Sequence, residues 1–222
     1  MEIFNALVDG MTGLMNWLYQ LTVQAGVPSY GIAIILLTVL IKMLLYPLTQ
    51  KQMKSMVVMQ RLQPKVKQIQ DKWKNKDPKK MQQMIMDLYK ENNANPMAGC
   101  LPLLIQLPIL IALYRSLYAF PFINEAHASF IWVQNLSGTD PYYILPLLAG
   151  ITTFLQSKMT TSMTDPTQKT MLYMMPLIIV WISATVPAGL ALYWVVFNVV
   201  GAIQQYFINK QNMPVKEGAS GR

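Results

Sequence analysis

The sequence is short of the residues from which metal centres, disulfide frameworks and catalytic triads are built. Its 222 residues include one cysteine, Cys100, and one histidine, His127. A single cysteine excludes an intramolecular disulfide framework and a cysteine-based metal cluster. A single histidine is a poor basis for a histidine-ligated metal or a Ser/His triad. We therefore expect no metal, no cofactor and no enzymatic activity.

Charge is also scarce. Charged residues make up 13% of the chain and hydrophobic residues 53%, whereas a soluble domain carries about 25% charged residues. Several long apolar runs accompany this composition, and together they indicate an integral membrane protein. The first 27 residues contain no Lys or Arg, so we expect no cleavable signal peptide. No internal repeat is visible.

The apolar runs and the polar stretches between them predict an all-α polytopic membrane protein. It has five transmembrane helices, a cytosolic helical hairpin and an N-terminal interfacial amphipathic helix. The predicted segments are the interfacial helix at 1–27, TM1 at 28–49, the hairpin at 50–96, TM2 at 97–119, an outer loop at 120–141, TM3 at 142–157, a cytosolic loop at 158–170, TM4 at 171–186, TM5 at 187–208 and a cytosolic tail at 209–222.

The hairpin is the charged part of the chain. Between Gln50 and Asn95 it holds eleven basic and four acidic residues, which is +7 of the formal net charge of +8. One helix is predicted to open at Pro64 and the other at Asp77-Pro78, a good N-cap and first-turn pair. Their apolar faces are formed by Val66, Ile69 and Trp73, and by Met81, Met84, Ile85 and Leu88.

The distribution of basic residues predicts the orientation. With the N-terminus outside and the C-terminus in the cytosol, the hairpin, the loop at 158–170 and the tail place sixteen basic residues on the cytosolic side. The outer segments then hold none, and only Arg115 near the outer end of TM2 departs from the positive-inside rule.

One lysine lies inside an apolar run. Lys42 is about 18 Å along a helix from Tyr30 to Leu48 that is about 28 Å long. A bare ammonium there costs roughly 2.5–3.5 kcal/mol on insertion scales. A snorkelling lysine near a helix end is one explanation. The other is a lysine that faces water inside the membrane.

Polar residues in the other spans favour the hydrated explanation. They recur at helical spacing in TM1 and TM5, and no intramembrane Asp or Glu is available to pair with Lys42. Hydrogen bonds that tie helices together would explain the neutral members individually. A hydrated pocket open to the cytosol explains them together. The residues are Thr38, Lys42, Tyr46 and Thr49 in TM1; Gln106 in TM2; Thr152, Thr153 and Gln156 in TM3; and Trp194, Asn198, Gly201 and Gln205 in TM5.

Longer motifs carry a resemblance to a known family. The sequence resembles the YidC/Oxa1/Alb3 membrane protein insertases over nearly the whole chain beyond Gly26, and its length is similar to the short Gram-positive type. The motifs are "TVLIKMLLYPLTQKQ", "LQPKVKQIQDKW", "NPMAGCLPLLIQLPILIALYRSLY", "DPYYILPLLAGITTFLQSKMT", "DPTQKTMLYMMPLIIV" and "VPAGLALYWVVFNVVGAIQQYFI".

The resemblance implies five helices around a hydrophilic groove that is open to the cytosol and to lipid. Lys42 matches the family's positively charged groove residue, where many relatives have arginine. Lysine keeps the charge but lacks the bidentate fork of the guanidinium. By the same matching, Thr38, Gln156 and Trp194 line or border the groove. We add Tyr46, Gln106, Asn198 and Gln205 to the expected groove residues because they share its helix faces.

The resemblance also implies a function and a set of partners. The expected function is insertion and folding of membrane proteins in a bacterial plasma membrane, without a catalytic residue. The hairpin would recruit substrate through Lys65, Trp73, Met81, Met84 and Ile85. Expected partners are nascent membrane proteins and the lipid bilayer, with the Sec translocon, the signal recognition particle pathway and the ribosome as candidates. We expect no nucleic-acid recognition.

Two other functions stay open at this point. A channel or small-solute transporter would need a continuous pore or a midplane site, often with inverted repeats. An intramembrane enzyme would need a catalytic constellation that the sequence does not offer. Reconstitution into liposomes separates them, because an insertase inserts a small membrane protein and a channel conducts ions.

The predicted orientation is testable with thiol reagents in a Cys100→Ser background. A cysteine at position 76, in the hairpin tip, should be protected from an impermeant reagent in intact cells, because the tip is cytosolic. A cysteine at position 127, in the outer loop, should react. Labelling of the hairpin tip without lysis would contradict the orientation.

Overall fold

The computed structural model describes residues 2–95, 101–118, 120–160 and 166–211. Within these residues the chain is helical and forms no β-strand, which confirms the predicted all-α class. The helices are α1 (Glu2–Gln24), α2 (Tyr30–Leu44), α3 (Tyr46–Trp73), α4 (Pro78–Glu91), α5 (Leu101–Tyr118), α6 (Ile144–Thr160), α7 (Pro166–Ser183) and α8 (Ala188–Asn209), with a short 3₁₀ turn at Glu125–Ala128.

Length and apolar composition identify one membrane-crossing helix among the described residues, α8. α2 and α3 together also meet this criterion, but they form a broken pair bent by 69°. The other apolar segments are shorter and lie within α5 and α7, at Leu104–Tyr118 and Lys169–Ser183. The count of five transmembrane helices therefore stays a prediction.

The break between α2 and α3 interrupts the helix expected from Tyr30 to Leu48. α2 begins after Ser29, whose Oγ accepts a hydrogen bond from the Ile32 N–H, and it ends at Leu44. Pro47 then lies in the first turn of α3. Because proline has no N–H to donate to the preceding turn and its ring clashes with that turn, Pro47 favours a break between α2 and α3. Tyr46 consequently belongs to a differently directed helix from Lys42.

α1 ends earlier than the sequence suggested. We expected Pro28 to end it, but the turn is made at Gly26, which has φ +80°. Glycine adopts this left-handed conformation without the steric cost of a Cβ, so it ends helices readily. The buried face of α1, including Met15 and Tyr19, packs against α2 and α5. Its location at a membrane surface stays a prediction.

α3 is longer than predicted. Pro64 was expected to begin a helix, but it lies inside one that runs from Tyr46 to Trp73. Packing on both sides of the proline explains the continuation, because Leu62 and Val66 are both buried against α4. The gain from burying these side chains offsets the single backbone hydrogen bond that a proline removes.

The hairpin has an apolar core of its own. Leu62 and Val66 of α3 pack with Leu88 and Tyr89 of α4, and Ala94 completes the cluster. The main bundle has a separate core, to which α1, α2, α5, α8 and the outer loop contribute. The two parts of the molecule are thus stabilised by different sets of side chains.

The base of α3 is attached to the bundle. Met53 and Val57 pack against Ile208 near the end of α8. The Asn95 N–H also donates to the Ser55 Oγ at 2.8 Å. These contacts fix the first turns of α3 beside the bundle, while the hairpin core lies farther along the helix.

α6 and α7 shorten the predicted loop at 158–170. α6 extends to Thr160 and α7 begins at Pro166, so both ends of that segment are helical. The two helices approach closely at Gly150, where a Cβ would collide with the Val180 side chain. Residues 161–165 lie outside the described part, as do 96–100 at the start of TM2 and 212–222 of the tail.

The outer loop is held by one carboxylate. Asp140 is buried, and it accepts hydrogen bonds from the Trp132 Nε1–H at 3.2 Å, the Tyr142 N–H at 3.1 Å and the Leu145 N–H at 2.6 Å. The last of these donors lies in the first turn of α6, where a negative charge also complements the helix dipole. Asp140 therefore joins the loop to the start of α6.

We predict that Asp140→Ala destabilises the protein by about 2–3 kcal/mol, because it leaves three donors without their charged acceptor. Asp140→Asn should lose less, since it keeps one acceptor oxygen. Thermal unfolding in detergent measures both. As a control, Asp87→Ala on the exposed surface of α4 should stay within about 0.5 kcal/mol of the parent. Equal stability of Asp140→Ala and Asp87→Ala would contradict this role.

Candidate functional site

Lys42 is buried in the bundle, and no carboxylate among the described residues pairs with it. Its side chain is 3% exposed, and it lies near the C-terminal end of α2. Nζ lies 3.4 Å from the centroid of the Phe197 ring on α8. No ion pair to Lys42 is present among the described residues. A cation over an aromatic face is attracted by the ring quadrupole, so Phe197 supplies the one favourable electrostatic contact seen at this ammonium within the described chain.

A cavity of about 210 Å³ lies beside Lys42. This volume holds several water molecules. The lining side chains come from five helices: Lys42 and Leu45 from the α2 end; Thr49, Gln52, Met53 and Met56 from α3; Ile105 and Gln106 from α5; Gln156, Ser157 and Thr160 from α6; and Phe197 and Gln205 from α8.

The polar part of the wall is one cation and a set of neutral groups. Of the described residues, four glutamines line the cavity, each on a different helix, and no Asp or Glu does. The Gln106 Nε2–H donates to the Tyr193 hydroxyl at 2.6 Å, which fixes one of the four amides. A positively charged wall with this composition suits an anionic or polar guest and disfavours a cation.

Gly201 makes room for the polar groups. A Cβ at this position would collide with the Gln156 amide and would lie 3.0 Å from the Lys42 Nζ. Both side chains therefore occupy space over the α8 backbone that only glycine leaves free. Gly201 brings α2, α6 and α8 together at the cavity.

The structure brings four of the eight expected groove residues into one cavity wall. Lys42, Gln106, Gln156 and Gln205 line it, and they come from four different helices. The other four, Thr38, Tyr46, Trp194 and Asn198, do not line this cavity.

Two of those four have hydrogen-bond partners inside the bundle, Thr38 within its own helix and Asn198 on a neighbouring helix. The Thr38 hydroxyl is buried and donates to the Ile34 carbonyl at 2.7 Å. The buried Asn198 Nδ2 donates to the Thr153 hydroxyl at 2.7 Å and to the Thr152 hydroxyl at 3.3 Å, which joins α8 to α6. The Asn198 bonds match the helix-tying explanation that the sequence left open, whereas the Thr38 bond stays within α2.

The other two lie nearer the surface. Tyr46 is exposed after the bend, and its hydroxyl accepts a hydrogen bond from the Gln50 Nε2–H at 3.3 Å. Trp194 is half-buried on α8. Neither side chain shares the cavity with Lys42 in this conformation.

Sequence reasoning missed Phe197 and Gln52. Phe197 carried a usable signal, because it lies three residues after Trp194 and four before Gly201, on the same helix face. Gln52 carried none. On a straight helix it would lie roughly 80° around the axis from Lys42, and only the bend before Pro47 brings it to the cavity.

The expected recruiting residues lie on the hairpin away from this cavity. Trp73 at the end of α3 has the Lys80 ammonium 4.2 Å from its ring centroid. Met84 is exposed, whereas Met81 and Ile85 are half-buried, and Lys65 is half-buried on α3. The exposed surface of the hairpin is therefore mainly basic, with exposed methionines such as Met84 between the lysines and a half-buried Trp73.

The fold and the cavity define a helical bundle with a charged interior site large enough for several water molecules and an attached basic hairpin. The sequence model of the 60Kd inner membrane protein family matches residues 21–216. The chain belongs to this family, which confirms the resemblance found in the motifs.

Individual relatives also match most of the chain. Proteins named membrane protein insertase YidC are 46% identical to the chain in Geobacter metallireducens, over 83% of this chain and 34% of the relative. The relative in Syntrophus aciditrophicus is 48% identical over 83% of this chain and 34% of its own length. The relative in Wolinella succinogenes is 44% identical over 94% of this chain and 38% of its own length. The chain thus spans little more than a third of the length of these relatives.

A solved structure shares the fold. The crystal structure of an active YidC insertase with its first transmembrane domain resolved superposes with a TM-score of 0.71 at 28% identity. The superposition covers 92% of this chain and 46% of the other.

Proposed function

We propose that the protein is a membrane protein insertase that receives polar segments of its clients in the Lys42 cavity. The observation that carries the proposal is the buried ammonium, unpaired among the described residues, in the wall of a polar cavity. The family and the names of the relatives support it. A helix-tying lysine would instead be expected to contact a carboxylate or carbonyl of a neighbouring helix.

The cavity shortens the apolar path that a polar segment must cross. Hydrocarbon about 30 Å thick offers no hydrogen-bond partners. A groove that holds water along part of this distance keeps the segment hydrated, so less of the transfer takes place in hydrocarbon. No nucleotide or metal is required for this step.

Lys42 provides a transient partner for client carboxylates. Coulomb attraction between unit charges is stronger in a partly buried site than in bulk water. Phe197 holds the ammonium without neutralising it, so the charge is available to a client. A carboxylate of the protein in the same place would form a permanent pair and remove this function.

The apolar segment of a client leaves the cavity sideways into lipid along the outer surfaces of α2 and α8. Apolar side chains are exposed there, including Leu36 and Met43 on α2 and Val199 and Ile203 on α8. A client's apolar segment that leaves along these helices enters lipid, and its burial at about 25 cal/mol per Å² drives the step.

The proposal includes location and orientation. The protein lies in a bacterial inner membrane, with five transmembrane helices, the N-terminus outside and the C-terminus and hairpin in the cytosol. The family description supports the membrane, and the basic residues of the hairpin support its side.

Nascent membrane proteins are the proposed partners, together with the surrounding lipid. The Sec translocon, the signal recognition particle pathway and the ribosome are candidates because each delivers or receives such clients. The hairpin is the proposed recruiting element, through its exposed basic and methionine side chains and the half-buried Trp73.

Substitutions of Lys42 test whether insertion depends on its positive charge. Lys42→Arg should retain insertion because the charge remains. Lys42→Ala should impair clients whose translocated segment carries Asp or Glu, and Lys42→Glu should impair them more because it repels them. The measurement is a reconstituted insertion assay with paired clients that differ in one acidic residue. Equal activity of Lys42→Ala on both clients would remove Lys42 from the mechanism, as the snorkelling explanation requires.

Deletion of Lys65 to Glu91, replaced by a short linker, tests the hairpin. The bundle should stay folded, because its core is separate and Met53 and Val57 remain packed on Ile208. Client binding should fall. Chromatography in detergent and client crosslinking measure the two effects, with a same-length Gly/Ser replacement of residues 74–76 as the control. A variant that cannot be purified as a monodisperse species would show that the hairpin is part of the core.

A further inference from the structure

The cavity offers more neutral amide groups than the binding of an acidic side chain requires. Gln52, Gln106, Gln156 and Gln205 surround it from α3, α5, α6 and α8. One cation suffices to attract a carboxylate. Four primary amides from four helices therefore call for an explanation of their own.

Gln52 and Gln205 are buried and incompletely hydrogen-bonded. Gln52 is 5% exposed, and neither its Oε1 nor its Nε2 has a partner in the described part of the chain. Gln205 is fully buried and its Nε2–H donates to the Asn209 Oδ1 at 2.7 Å, yet its Oε1 has no partner among the same residues. Unbonded buried polar atoms are costly and rare, so three around one cavity indicate a guest.

The chemistry of the three atoms describes that guest. One is an amide nitrogen that donates and two are carbonyl oxygens that accept, so a complementary guest both accepts and donates. A peptide unit does this at every non-proline residue, whatever the side chain. A chain that leaves water must also keep these groups bonded.

We propose that Gln52 and Gln205 form an amide subsite that binds main-chain peptide groups of the client's polar segment, beside the charge site at Lys42. The inference rests on the proposed insertase function and adds the client main chain to what the cavity recognises. It assigns sequence-independent binding to the glutamines and charge-dependent binding to the lysine.

The placement of Gln52 fits this role. It lies on the first turns of α3, next to Met53, which packs against Ile208 of α8. The subsite thus joins the start of the hairpin helix to the bundle. Glutamine is neutral, so it adds no charge that would compete with Lys42 for an acidic client.

The test compares Gln52→Met with Gln68→Met in the reconstituted insertion assay. Gln68 is an exposed glutamine of the same helix, so the chemical change is matched and its location differs. Gln52→Met should slow insertion about two- to ten-fold for acidic and neutral clients alike, and Gln68→Met should not. Thermal stability of Gln52→Met should be unchanged or higher, because the substitution removes an unbonded buried amide.

A client with a single backbone ester, made by translation with an α-hydroxy acid, tests the contact directly. The ester has no N–H and a weaker acceptor. At a position that occupies the subsite, the ester should slow insertion by the wild-type protein and by Gln68→Met. It should have little further effect with Gln52→Met, because coupled groups give non-additive effects.

Three outcomes would overturn the proposal. Wild-type rates for Gln52→Met, or additive effects of the ester at every position, would mean that the cavity amides bind water. A defect that appears only with one headgroup composition of the vesicles would mean that a lipid occupies the subsite. If the wild-type protein itself inserts no client, the insertase function is refuted as well. The reaction with the wild-type protein alone shows this, so the two failures are distinguishable.

Discussion

The burial of a lysine ammonium, with no carboxylate partner in the described part of the chain, is the constraint on which the rest of the site depends. A charge in a low-dielectric interior needs polar surroundings. Within the described residues, the protein supplies them with the face of Phe197, a cavity large enough for several waters and neutral amides rather than with a counter-ion. Gly201 leaves the space in which the Lys42 and Gln156 side chains meet. The site thereby keeps its positive charge uncompensated, which a permanent salt bridge would prevent.

The molecule also consists of two parts that are packed separately. The bundle core and the hairpin core share no residues, and Pro47 interrupts the helix that would otherwise join them rigidly. After the bend, Gln52 lies in the cavity wall, and the packing of Met53 and Val57 on Ile208 holds this part of α3 in place. Beyond Val57, Arg61 also donates a hydrogen bond to the Gln211 carbonyl after α8 at 3.3 Å, so the hairpin keeps a polar contact to the end of the bundle.

The different roles proposed for the lysine and the glutamines of the cavity have a simple physical basis. A charge discriminates among clients, because its attraction depends on the presence of a carboxylate. Neutral amides do not discriminate, because every peptide unit offers them the same donor and acceptor. An insertase that handles many sequences benefits from both, and the absence of acidic residues from the cavity lining is consistent with each of them.

The sequence by itself determined the helical class, the family, the basic hairpin and the position of Lys42. Hydrophobic runs, helical spacing and charge distribution depend on neighbouring residues alone, so they are legible without the fold. The tertiary structure decided which polar residues meet. Thr38 and Asn198 share helix faces with Lys42 and Gln205, yet they bond within or between helices instead of lining the cavity. Gln52 joins the cavity because a proline redirects its helix, and α3 continues through Pro64 because Leu62 and Val66 are buried on either side. Such outcomes depend on contacts between distant segments, and a one-dimensional pattern does not contain them.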